Sequence, residues 1–200
     1  MTTNPSPGEK ATPPGTGSEK HPIVVTIGGL PGSGTTTAAS LLAKKLDLPW
    51  TNGGKIFREM AKEQEMELNE FGVHAENDPS VDRELDRRLL EALRQGDIIL
   101  ESRLAGAHAN LNSIPSLRVW LHAPLEIRVK RIHDREGGEI GELTEAVLER
   151  ERSERTRYLD YYDIDYEFLD HYSIVVNSNE YWPEQIVAII LEALHRKGLV

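Results

Sequence analysis

The chain reads as a three-layer α/β domain built on a parallel central sheet. Three observations predict this. Short β-branched runs recur, helix-forming sequence separates each from the next, and the first run ends in a glycine-rich loop. That first run is Ile23 to Ile27, closed by Gly28-Gly29, and it has the near-continuous apolar character of a strand covered on both faces. Thr36 to Leu46 follows with helix-forming composition, its Leu41, Leu42 and Leu46 at helical spacing. A second helical stretch begins near Gly54 and carries Ile56, Phe57, Met60 and Ala61. Asp78-Pro79 opens a long helix, with Asp78 suited to the N-cap and Pro79 to the first turn. It runs through Leu85, Leu89, Leu90 and Leu93 and stops at Gly96. Asp97 to Glu101 and Leu117 to Leu121 are further short apolar strands. Pro124 to Arg135 is an amphipathic helix rich in arginine, and Leu143 to Tyr162 a charged one. Ser173 to Asn177 adds a strand and Pro183 to Lys197 a closing helix. Strands joined through helices require crossovers, hence a parallel sheet with helices on both faces.

At 200 residues, one domain over 23–200 is expected. Met1 to Pro22 is rich in proline and glycine and almost free of apolar side chains, so a disordered tail is expected there. Lys and Arg total 23 against 33 Asp and Glu, a net charge of −10 that argues against a general nucleic-acid or anionic-membrane binder. Small phosphate ligands stay open, because they need only a few cations in one pocket. A cysteine count of 0 excludes disulfides, thiolate metal sites and a cysteine nucleophile. No apolar run approaches the ~20 residues needed to span a bilayer. A soluble, cytoplasmic monomer is expected.

The strongest motif is the loop Gly29, Leu30, Pro31, Gly32, Ser33, Gly34, Thr35, Thr36, between the first strand and the first helix. It follows the phosphate-loop pattern G-x-x-x-x-G-K-[ST] in its strand–loop–helix setting. Its glycines let successive N–H groups converge on phosphate oxygens, and the helix N-terminus adds partial positive charge. Thr36 holds the place whose hydroxyl ligates the Mg²⁺ of a bound triphosphate. Thr35 stands where the loop lysine belongs, and that lysine serves transition-state charge. A ligand-free turn is the alternative reading of the loop.

The second motif is Glu101-Ser102-Arg103 at a strand end, where side chains of an open α/β sheet enter the ligand crevice. Glu101 either orders Mg²⁺ and its waters or forms an ordinary strand-end ion pair with Arg103. The third is a set of arginines: Arg58, Arg103, Arg128, Arg131, Arg135, Arg150, Arg152, Arg155 and Arg157. Phosphoryl transfer calls for several guanidiniums over the phosphates. For Arg152 and Arg155 a solvated helix face is expected instead, with Glu149, Glu151 and Glu154 paired to arginines nearby on the same helix. Gly137, Gly138 and Gly141 are candidate lid hinges. The histidines show no metal-ligand spacing, and Tyr158, Tyr161 and Tyr162 suit packing or base stacking.

Taken together, the stretches GGLPGSGTTTAASLLAKKL, GGKIFREMAKE, FGVHAENDPSVDRELDRR, LESRLAG, VWLHAPLEIRVKRIHDREG and RERSERTRYLDYYDID are similar to the archaeal-type cytidylate kinases, over Ile23 to about Leu194. These belong to the P-loop nucleoside monophosphate kinase group. The resemblance implies that fold, with a helical acceptor-binding region over about 53–94 and a small lid over about 135–157. It implies transfer of the ATP γ-phosphoryl group to CMP or dCMP, with Mg²⁺; a kinase for AMP or UMP, or a non-catalytic nucleotide-binding module, is the alternative. By the same resemblance Gly29 to Thr37 hold the ATP phosphates, with Arg131 on the lid or donor side. Arg58 and Arg103 bind the acceptor phosphate, Arg103 facing phosphate rather than a local carboxylate, with Glu101 on the acceptor or the metal waters. Arg150, Glu154 and Arg157 match the R-x-x-x-[DE]-x-x-R lid spacing, and Arg103, Arg150 and Arg157 are the implied catalytic cations. Thr35 and Ser102 depart from the commonest forms of their motifs.

Overall fold

The structure is a computed structural model and describes residues 22–200; the expected tail, Pro22 excepted, lies outside the described residues. Five parallel strands form one sheet in the order β2-β3-β1-β4-β5. They are β1 (Val24–Gly29), β2 (Trp50–Asn52), β3 (Ile98–Glu101), β4 (Leu117–His122) and β5 (Ile174–Asn177). All six residues of β1 are buried, as its unbroken apolar run requires at the centre of a covered sheet.

The helices are α1 (Thr35–Leu46), α2 (Gly53–Glu63), α3 (Leu68–Asn77), α4 (Pro79–Gln95), α5 (Ala105–Leu111), α6 (Leu125–Glu136), α7 (Ile140–Tyr162) and α8 (Pro183–Arg196). One face of the sheet packs Val25, Ile27, Ile99, Val119 and Leu121 against Ala38 and Leu42 of α1 and Ile186 and Ile190 of α8. The other packs Val24 and Leu100 against Met60, Phe71, Leu89, Leu93 and Ala105. Helix, sheet, helix is the expected three-layer order. Asp78 caps α4 as expected, accepting from the Ser80 N–H at 2.9 Å with Pro79 in the first turn.

The structure departs from the sequence reading in several places. Gly28 and Gly29 are the end of β1 rather than its stop, because parallel pairing with β4 continues through Gly29↔Leu121. The edge strand β2 has only three residues and no period to reveal it. Helices α3 and α5 were also not expected. α5 is built from small buried residues, and a Cβ on Gly106 would stand 2.4 Å from the Tyr172 ring. Such a segment has no polar face, so no amphipathic period marks it. Gly137 and Gly138 do form the turn between α6 and α7, with φ of 74° and 99°. Gly141 lies inside α7, which starts at Ile140, and so is not a hinge.

Candidate active site

The central strand order decides where the site lies. The chain turns back across β1, so the crevice at the carboxyl ends of β1, β3 and β4 is where an open α/β sheet binds ligands. The glycine-rich loop leaves β1 there and enters α1. Gly34 is the N-cap of α1 and gives no side-chain cap, and the first turn carries no acidic residue, so this N-terminus presents amides and partial positive charge to a ligand. Gly32 has φ 81°, and a Cβ on it would stand 2.5 Å from the Arg128 carbonyl oxygen. Only glycine lets the loop lie this close to α6.

The register pairs Ile27 with Glu101 and Asn52 with Glu101, which puts the Glu101 carboxylate between the loop and β2. Thr35 and Thr36 both donate their hydroxyls to Glu101 Oε1, at 2.7 and 2.6 Å, and Asn52 Nδ2 lies 3.4 Å from Oε2. Glu101 therefore faces the loop threonines and does not pair with Arg103. Thr36 hydroxyl and Glu101 carboxylate form a small set of hard oxygen donors at one point, which fits Mg²⁺. Among the described residues no group of three or more His, Cys, Asp or Glu could hold a metal by itself, so the remaining ligands would be nucleotide phosphates and water.

Behind the loop stand two arginines. Arg128 is buried and donates to the carbonyls of Ala123 (3.0 Å) and Pro31 (3.2 Å) and to the Glu151 carboxylate of α7. Arg131 donates to Gly32 O (3.3 Å), Ser178 Oγ (3.0 Å) and Ser178 O (2.8 Å), while Ser178 Oγ donates to Ser33 O at 2.7 Å. Both guanidiniums hold the loop backbone in shape. For Arg131 this is a bracing contact the sequence did not indicate.

Glu154 takes the expected helix neighbour, Arg150, and it also takes Arg103, which the resemblance set against phosphate rather than a local carboxylate. Arg103 Nη1 donates to Glu154 Oε1 at 2.8 Å, and Arg150 Nε donates to the same oxygen at 2.9 Å. Glu154 is 5% exposed, and its Oε2 and the Nε of Arg103 are buried without a hydrogen-bond partner. A bridging carboxylate of this kind holds two cations close together, which their mutual repulsion would otherwise prevent. Arg157 reaches Asp82 of α4 at 3.6 Å. The solvated-face expectation fails at Glu151, which pairs with Arg128 of α6, and at Arg155, which pairs with Asp165 and Glu167 beyond the helix. Arg152 has the expected solvent position, its Nε 3.4 Å from Leu148 O. Arg58 is exposed and does not line the cavity, although its guanidinium lies beside Gly54, which does.

Two cavities meet at the loop and share Gly32, Thr35, Thr36 and Arg135. The larger, about 720 Å³, runs from the loop past Glu101, Arg103, Arg150, Glu154 and Arg157 to Phe57, Leu85 and the tyrosines of α7. The smaller, about 580 Å³, lies on the α1 side and is lined by Thr37, Arg131, Ser178, Tyr181, Trp182 and Ile186. Burial, then the charge of Glu154, raises the Tyr158 phenol above its ordinary pKa. Phe57, Asp82, Asp86, Tyr181 and Trp182 also line these cavities. No motif spacing marks them, since they come from three separate segments.

The family model described as the cytidylate kinase-like family matches residues 24–180. A cytidylate kinase of Methanosarcina barkeri is 45% identical over 173 residues, covering 85% of this chain and 95% of that protein. Cytidylate kinases of Methanopyrus kandleri (44% identical, 86% and 92% covered) and Methanococcus aeolicus (42% identical, 88% and 99% covered) are comparably similar. Among solved structures, TT1252 from Thermus thermophilus has a TM-score of 0.61 at 20% identity, covering 89% of this chain and 98% of that one. Shikimate kinase from Bacteroides thetaiotaomicron has a TM-score of 0.58 at 18% identity, with 86% and 98% covered. These structures share the fold alone. With the glycine-rich loop, the Glu101 carboxylate and the arginine-lined crevice in the places described, the sequence matches extend over nearly the whole described chain, and the protein belongs to the cytidylate kinase-like family.

Proposed function

We propose that this protein transfers the γ-phosphoryl group of ATP to CMP or dCMP, giving ADP and CDP or dCDP. The observation that carries the reading is the meeting of two nucleotide-sized cavities at one phosphate loop, with four guanidiniums on the wall of the larger. ATP lies with its phosphates on Gly29 to Thr37 and its nucleoside in the cavity lined by Arg131, Tyr181 and Trp182. The acceptor enters the larger cavity, and one of its phosphate oxygens attacks the γ-phosphorus as the bond to the β–γ bridging oxygen breaks. Phosphoryl transfer is mostly positioning and charge stabilisation, which sets the work of each residue.

Loop amides and the α1 N-terminus hold the ATP phosphates in line. Thr36 hydroxyl and Glu101 carboxylate would hold Mg²⁺ directly or through water. Bound there, Mg²⁺ supplies Lewis-acid neutralisation of the charge on the phosphate oxygens. Arg103, with its unpartnered Nε, and Arg150 meet the acceptor phosphate and the transferring group, and Arg157 of α7, held by Asp82 of α4, supports them. Arg58, exposed on α2, reaches the acceptor only if α2 swings toward the cavity. The segments over about 53–94 and 135–157 act as acceptor-binding region and lid, turning at Gly137 and Gly138.

A panel of CMP, dCMP, UMP, AMP and GMP with ATP–Mg²⁺, scored for ADP release and product identity, tests the reading. CMP and dCMP are expected to lead. Phosphorylation of AMP alone, or ATP binding with no product from any acceptor, would overturn it.

A further inference from the structure

The larger cavity meets a cluster that phosphoryl transfer does not use. Asp86 of α4 lines the cavity, and its side chain is only 14% exposed. Below it His108 of α5 is buried, with Nε2 3.5 Å from Asp86 Oδ1 and no hydrogen bond of good geometry. The Tyr162 ring of α7 stands edge-on to the His108 ring, with centroids 5.6 Å apart at 84°. Burial and the neighbouring Asp86 carboxylate raise the Tyr162 phenol far above its ordinary pKa. Three elements thus converge on one carboxylate that no arginine neutralises among the described residues. Its neighbour one turn earlier, Asp82, is engaged by Arg157. Phe57, Leu85 and Leu89 line the same cavity and offer apolar surface to a flat ring.

Resting on the reading of this cavity as the acceptor site, we propose that Asp86, held from below by His108, reads the exocyclic amine of the acceptor base and so selects cytosine over uracil. The two pyrimidines differ at one edge. Cytosine presents an amine donor where uracil presents a carbonyl acceptor. A carboxylate is acceptor-only, so it pairs with the amine and repels the carbonyl. Half-buried carboxylates are costly unless something donates to them, and a base amine is a donor of the right kind. His108, with Nε2 3.5 Å from Oδ1 and not hydrogen-bonded to it, leaves acceptor capacity on the carboxylate for the ligand, which makes His108 a positioning residue and Asp86 the specificity-determining one.

The test compares kcat/KM for CMP and for UMP in the wild type and in Asp86→Asn, with thermal midpoints measured alongside. The wild type is expected to favour CMP. The amide of Asp86→Asn can donate to the uracil carbonyl, so the CMP-to-UMP ratio should fall by about tenfold or more, mainly through KM. Asp82→Asn, which disturbs Arg157, should lower the rate with both acceptors and leave the ratio within about twofold. A wild type that does not favour CMP overturns the acceptor-site reading and this assignment with it. If the wild type favours CMP, a folded Asp86→Asn with an unchanged ratio overturns the assignment alone, and so does a ratio that moves in Asp82→Asn but not in Asp86→Asn. Should Asp86→Asn fail to fold, Asp86→Glu carries the test. It keeps the charge but displaces it, so the preference for CMP should persist while KM for CMP rises several-fold, and an unchanged KM overturns the proposal.

Discussion

Thr35 is the residue at which this chain and the general phosphate-loop pattern part, and the structure gives the position a partner. Its hydroxyl donates to Glu101 at 2.7 Å, beside the equivalent bond from Thr36. A lysine there would lie against the same carboxylate and spend much of its charge on it. Meanwhile Arg103, Arg135, Arg150 and Arg157 already line the cavity. Thr35→Lys should therefore change kcat by less than about tenfold, the scale of one modest transition-state contact, in steady-state assays with ATP and CMP. Arg103 presents the opposite case. With Arg150 it neutralises the buried Glu154, and its own Nε is unpartnered. Arg103→Ala should lower kcat/KM by about a thousandfold, since guanidiniums on transferring phosphate carry that much. It should also destabilise the fold by about 2 kcal/mol, because Glu154 keeps only Arg150. Calorimetric melts and CDP formation measure the two effects separately. Retained turnover with a lowered midpoint would leave Arg103 a purely structural role.

At the scale of elements, the loop is shaped by what packs behind it as much as by its own glycines. Gly32 sits against the α6 backbone, Arg128 fixes the Pro31 carbonyl, and Arg131 and Ser178 fix Gly32 and Ser33. Gly32→Ala combines a Cβ 2.5 Å from the Arg128 carbonyl with a φ of 81°. Neither neighbour is a flexible side-chain end, so the loop must move. ATP affinity should fall by at least about a hundredfold, because the amides no longer converge on the phosphates, and isothermal titration with ATP–Mg²⁺ measures this. An unchanged affinity would mean that the loop binds no phosphate. Helix α7 is the second element whose role exceeds its sequence signature. Its Glu151 ties α7 to Arg128 behind the loop, and its Glu154 ties it to Arg103 at the end of β3. Loop, strand end and α7 are thus joined by buried ion pairs rather than by apolar packing alone.

Across the whole molecule, four of the six tyrosines are drawn into the packed interior around the site. Burial pushes the phenol of Tyr166 up to about 12, and then the charges of Glu151 and Glu167 add to it. Burial likewise raises Tyr158, Tyr162 and Tyr172. A phenol whose folded pKa exceeds its unfolded value is favoured neutral in the fold. Its stabilisation is complete below pH about 10, the unfolded value, and disappears as pH rises through the folded one. Denaturation midpoints in urea should therefore hold steady up to about pH 10 and fall steeply toward pH 12. Absorbance at the phenolate band should show most tyrosines ionising together with unfolding. A gradual phenolate rise before any loss of structure would show these rings to be accessible.

The sequence by itself determined the layers, the loop and the order of the major elements. A buried run such as Val24 to Ile27, an N-cap such as Asp78-Pro79 and a glycine-rich turn at a helix N-terminus each act within a few residues, so they are readable without knowing what packs where. It also placed Arg150, Glu154 and Arg157 on one helix at a spacing that brings them to one side. Only the tertiary structure decided partners. That Thr35 and Thr36 meet Glu101 depends on the β1–β3 register, that Glu154 joins Arg103 depends on α7 crossing the end of β3, and that Arg128 and Arg131 brace the loop depends on how α6 leans on it. Arg58, read from its local motif, stays outside the cavity for the same reason. Asp86, His108 and Tyr162 come from three helices and acquire meaning only together. Their bonds span long stretches of chain, and a side chain's local sequence carries no record of what the fold brings to it from elsewhere.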